Sequence, residues 1–192
     1  MIDLKTRKKY FKELGYSYDK EGIMKFQKKY FFRLKDKDGI YGNNTDILLH
    51  NVYYTKLLCK DFDILKDKMY CRCKGKYCTG HPAKINPTLL RYMQSFRDSV
   101  GFAMHISSFL RCPQWNKKQG GANGSKHTKG TAFDSYNILK TNTLNKRIVL
   151  INNWVNTYLE ANMAYCNGYR NRRGIKTYPS VKSMGISIHF EL

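Results

Sequence analysis

Apolar residues at helical spacing open the chain. Leu4, Phe11 and Leu14 fall on one side of residues 3–14, and Gly15 stops the pattern. Ile23, Phe26, Gln27, Tyr30 and Phe31 predict a second helix, and Thr45 stands where an N-cap would open a third running from Ile47 to Leu58. Asp38-Gly39 between them is a turn signal, so residues 1–60 read as a small three-helix bundle. A charged connector, 59–70, follows. Asn86 and Pro87 then give an N-cap and a first-turn proline for a helix with Leu89, Met93, Phe96 and Val100 on its apolar side, ended by Gly101. Short apolar runs at 103–109 and 131–137 predict strands, the first delivering Arg111 just past its end. The longest helical pattern covers 143–163, with Leu144, Ile148, Ile151, Val155, Tyr158 and Leu159 as its core face. The glycine- and arginine-rich stretch 167–174 reads as a loop, and Val181 to Leu192 as a closing strand or hairpin.

Composition adds a partner to this outline. Apolar residues make up 42% of the 192, enough for a folded core in one medium domain or two small ones. The formal charge is +21, which calls for an acidic partner: nucleic acid, or the anionic polymers of a cell wall. Residues 1–66 carry 15 basic and 9 acidic side chains and residues 67–192 carry 20 and 5, a shift that supports a boundary near residue 66. No apolar run approaches the roughly 20 residues of a membrane span. Met-Ile-Asp-Leu-Lys is not the start of a secretory signal, so the expectation is synthesis in the cytoplasm and release by some other route.

The order Leu14-Gly15-Tyr16, Phe26-Gln27, then Asp38-Gly39-Ile40-Tyr41-Gly42 and Thr45 resembles the peptidoglycan-binding three-helix domain of many wall hydrolases. A second resemblance covers most of residues 70–192. Ser108-x-x-Arg111, Gly120-Gly121, Ser125-x-His127-x-x-Gly130-x-Ala132-x-Asp134 and a distal His189 are similar to the zinc D-alanyl-D-alanine peptidase family, which includes DD-carboxypeptidases and phage endolysins. It implies an α+β, hedgehog-type peptidase domain over 68–192, preceded by the helical domain of 1–60. It also implies a zinc ion held by His127, Asp134 and His189.

The residue types suit that chemistry. Two imidazoles and one carboxylate give a net-positive zinc centre with a position left open, able to polarise a carbonyl and acidify water. Arg111 places a forked, permanently charged donor where an oxyanion would form, and Gly130 and Ala132 leave room for backbone near the metal. The resemblance gives Ser125 a substrate hydrogen bond. Many members of the family hold an acid three residues before the last histidine, where this chain has Ile186. Glu191, on the same strand face as His189, stands as base or as support for the ligand, with His105 as a rival. Cys71-x-Cys73-x4-Cys78, with His81 or Cys112, offers a structural zinc site, the alternative being buried free thiols.

These features describe a zinc-dependent wall peptidase, in its most concrete form an endolysin released by a holin, with peptidoglycan and anionic wall as partners. Two other readings stay open. One is a wall-binding protein with a silent centre, suggested by Ile186. The other, a basic nucleic-acid binder, rests on the charge alone and lacks a module of interleaved aromatics and cations.

Overall fold

The computed structural model describes residues 1–179 and 184–192. Three helices lead: α1 (Leu4–Glu13), α2 (Lys20–Tyr30) and α3 (Asn43–Leu58). Carboxylates open the first two, Asp3 accepting from the Thr6 amide and Asp19 from the Gly22 amide, as N-caps do. The third is opened by Gly42, one turn earlier than expected. Thr45 lies inside the helix, buried, with its hydroxyl 3.0 Å from Gln27 Nε2.

Gln27 explains much of the motif around it. Its Nε2 lies 3.1 Å from Asp38 Oδ1 and 3.0 Å from the Ile40 carbonyl, and its Oε1 accepts from the Gly39 amide at 2.8 Å. One buried amide thus ties α2 to the turn before α3, at ~1 kcal/mol for each bond made and more for each group left unpaired.

Residues 59–86 form turns with no helix or strand. Then α4 (Pro87–Val100) runs between the Asn86 cap and Gly101, which takes the left-handed conformation (φ 68°). It leads to β1 (His105–Ser108), α5 (Pro113–Lys118), α6 (Lys126–Lys129), β2 (Ala132–Tyr136) and α7 (Leu144–Thr157). The remaining strands are β3 (Met163–Cys166), β4 (Tyr169–Arg172), β5 (Ile175–Thr177) and β6 (Ile188–Glu191). They make one antiparallel sheet of order β1-β2-β6-β3-β4-β5, so the architecture is α+β.

Three expectations change. The stretch 167–174 is not a loop: Tyr169–Arg172 pairs with Met163–Cys166 as a hairpin. The long helix stops at Thr157, where Tyr158 turns to extended backbone, and Met163 already belongs to β3. Its buried face is Arg147, Leu150, Ile151 and Trp154, while Leu144 and Leu159 point outward, Leu159 at 95% exposure. The closing strand is confirmed at Ile188–Glu191; residues 181–183 of that expectation lie outside the described residues.

Strand alternation sorts the sheet into two functions. Phe133 and Phe190, paired across β2 and β6, turn to the helices and stack 5.0 Å apart, with Trp154 and Phe96 against them. The intervening residues, Asp134 and His189, turn to the opposite face. The core is continuous from Phe11 through Met69 and Leu90 to Phe190, and α3 is pinned to the segment before α4 by Asn51, which bonds both the Ala83 carbonyl and the Ile85 amide. No helix among the described residues is long and apolar enough to cross a membrane.

Candidate metal centre

Asp134 and His189 are cross-strand partners in the β2–β6 ladder, so register alone sets them side by side. His127 comes from α6, a single turn closed by Gly130 in the left-handed conformation (φ 71°). A Cβ at Gly130 would collide with the Lys84 carbonyl, and its own carbonyl accepts from the Asn86 amide at 2.9 Å. The space this glycine leaves, three residues along the chain from His127, is therefore filled by the backbone of residues 84–85.

The three side chains converge. His127 Nε2 lies 3.1 Å from Asp134 Oδ1 and 3.2 Å from His189 Nδ1, and His189 Nδ1 lies 2.8 Å from the same Asp134 oxygen. Ligands on a tetrahedral zinc with bonds of 2.0–2.1 Å stand roughly 3.3 Å apart. All three residues are buried.

The outer contacts decide what these atoms present. His127 Nδ1 is 2.6 Å from the Phe109 carbonyl, which only accepts, so Nδ1 carries the proton and Nε2 offers a lone pair. His189 Nε2 donates to Glu191 Oε2 at 3.1 Å, which leaves its Nδ1 as the lone-pair nitrogen. With both imidazoles neutral, two nitrogen lone pairs and a carboxylate oxygen face one point. That arrangement is repulsive unless a cation occupies it, so the donor set fits zinc in number, type and spacing.

In the absence of a metal ion, a proton on His189 Nδ1, shared with Asp134, would relieve the same repulsion. Burial would raise the Asp134 carboxyl, but His127 and His189 hold it far below the usual carboxylate range. Burial pushes His127 down, whereas at His189 the same burial is outweighed by hydrogen bonds to Asp134 and Glu191, which raise it. Glu191 is lowered against its own burial by its bond with His189.

Arg111 does not stand free. Its guanidinium donates to Asp134 Oδ2 at 2.8 Å through one terminal nitrogen and to Ser108 Oγ at 2.9 Å through Nε. The acid it pairs with is the carboxylate at the centre itself. Glu191 is placed behind His189, its other oxygen accepting from Asn162 Nδ2 at 3.0 Å. His105 is exposed at the far end of β1, its ring 5.4 Å from Tyr136. Ser125 caps α6 by position, but its hydroxyl makes no capping bond.

Two neighbours had no signal in the sequence. Tyr165 lays its ring 4.6 Å from that of His189, and Asn162 holds Glu191. Both belong to β3 or its approach, which starts where the expected helix was to end.

This geometry predicts the behaviour of Glu191→Gln. The variant keeps a hydrogen-bond acceptor but loses the charge that steadies the His189 tautomer. Zinc affinity should fall by ~10–100-fold, with activity recovering at saturating zinc. Competition against a chromogenic chelator and assays across zinc concentration check this. Lost activity with zinc fully bound would instead make Glu191 the base.

Comparison with protein-family models matches residues 63–157 to Peptidase M15. That segment contains Arg111, Ser125, His127 and Asp134 and ends before His189, which the sheet returns to the site. Neither the comparison with curated proteins nor that with solved structures gave a match. Residues 63–157, just under half of the chain, are thus similar to Peptidase M15, a match that supports a metallopeptidase of the zinc D-alanyl-D-alanine peptidase family.

Proposed function

We propose that this chain is a zinc-dependent peptidoglycan hydrolase of the endolysin type, cutting the stem peptide either between L-alanine and D-glutamate or at D-alanyl-D-alanine. The observation that carries the proposal is the convergence of His127 Nε2, Asp134 Oδ1 and His189 Nδ1 with both imidazole tautomers fixed from behind. When bound, zinc supplies a Lewis acid that polarises a peptide carbonyl and lowers the pKa of water to ~7.

The chain's own residues supply the rest. His127, His189 and Asp134 hold the ion, and Glu191 and the Phe109 carbonyl keep the imidazoles turned towards it. Arg111, already clamped by Ser108 and Asp134, has further N–H groups to offer an oxyanion on the substrate. Ser125, with its hydroxyl free of the helix it opens, is assigned a hydrogen bond to the peptide. Residues 1–60 are assigned to wall binding, and the +21 charge to retention on anionic wall polymer, an attraction that salt weakens. Action at the bacterial wall, reached through a holin, completes the proposal.

A second reading, a wall-binding protein with a silent centre, is favoured by Ile186 at the place where related peptidases hold an acid. Purified peptidoglycan digested with and without a chelator separates the two. The hydrolase releases new amino termini and shortened muropeptides, visible by mass spectrometry and abolished by chelation, and the bond cut identifies the subtype. Sedimentation with walls and no new termini would leave the silent centre.

A further inference from the structure

We propose that Cys71, Cys73, Cys78 and Cys112 form a second, structural metal site that holds zinc through four thiolates. Their sulfurs all lie within 4.8 Å of one another, and Cys73 Sγ and Cys78 Sγ are 3.4 Å apart. Zinc–sulfur bonds of ~2.3 Å place the sulfurs of a tetrahedral site roughly 3.8 Å apart. Three of the four are buried. His81 is buried nearby in sequence but does not belong to the group, so the fourth ligand is Cys112, brought from beyond β1.

The backbone is shaped around the sulfurs. The Cys112 amide donates to Cys71 Sγ at 3.3 Å and the Gly80 amide to Cys78 Sγ at 3.4 Å, contacts that favour thiolate over thiol. After Cys73 the chain reverses through Lys74 (φ 49°) and Gly75 (φ 87°), with the Lys76 amide bonded to the Cys73 carbonyl at 3.0 Å. A lysine adopts the left-handed conformation only where its surroundings impose it. At Gly80 (φ 103°) a side chain would strike the Phe32 ring, so the loop packs against the segment that follows α2. Four thiolates on one zinc leave a net charge of −2, in a loop whose sequence also carries Arg72, Lys74 and Lys76.

Pairing into two disulfides is the competing state of the same sulfurs. The structure favours metal because all four sulfurs share one space and backbone amides point at two of them, in a segment, residues 59–86, without helix or strand. The site would also matter to the first one. Cys112 follows Arg111, so an ion there fastens the turn from which Arg111 reaches Asp134.

The test uses the unmodified chain, purified with a thiol reductant. Zinc analysis and native mass spectrometry should find two zinc ions per chain. Cobalt exchange should give an intense thiolate-to-cobalt charge-transfer band, which reports only on the cysteines because His127, Asp134 and His189 contain no sulfur. A His189→Ala chain should keep one ion and the same band. One zinc with no sulfur signature, or peptide mapping that finds Cys73 and Cys78 joined as a disulfide in the active chain, would overturn the second site while leaving the first intact.

Discussion

A chain carrying His189→Ala is expected to lose peptidoglycan cleavage by at least ~10³-fold, the scale on which removing an essential part of a hydrolytic centre registers. The loss has two sources. Only His127 and Asp134 remain as ligands, too few to retain zinc against a chelator. Glu191, buried and lowered by its bond with His189, also loses the donor that compensates its charge. Metal analysis of the purified variant should show the catalytic zinc gone, and release of amino groups from cell walls should fall to the level without enzyme. His105→Ala is the control, since that ring is exposed against Tyr136; it should leave both readings unchanged. Activity that survived His189→Ala would dismiss the proposed centre.

The second large effect belongs to Arg111. Replacing it by Ala removes the donor to Asp134 Oδ2 and the group assigned to the oxyanion, and kcat should fall on the order of 10²–10³-fold. Arg111→Lys should recover only a fraction of this, because a single ammonium cannot hold Ser108 and Asp134 at once and still face substrate. Measuring kcat across zinc concentration separates the two roles. A deficit that persists at saturating zinc assigns the guanidinium to the reaction, and one that zinc repairs assigns it to holding Asp134.

What the sequence made legible follows physical range. Helices announced by local signals, the Asn86-Pro87 opening and the Gly101 stop, came out where their caps put them. The His127 and Asp134 pairing was legible because seven residues, a helical turn and the start of a strand, join them. The β3–β4–β5 meander was not. Its strands carry Arg170, Asn171 and Arg172, and β5 is exposed throughout, so no alternation of apolar residues marks it. That omission hid Tyr165 and Asn162. Arg111 was read only as a donor to substrate, whereas in the fold it shares Asp134 with both histidines. Gln27 was read as one position of an amphipathic pattern, although its amide organises the turn before α3.

The face-to-face placement of Asp134 and His189 has a consequence for how the protein matures. Sliding β6 by a single residue would present Ile188 or Phe190 to Asp134, and the pocket would offer a hydrocarbon in place of a nitrogen. Ion capture at the proposed centre would therefore act as a check on strand alignment. A misaligned molecule would stay unloaded, and loading would reward the one alignment that also buries the aromatic pair on the reverse side.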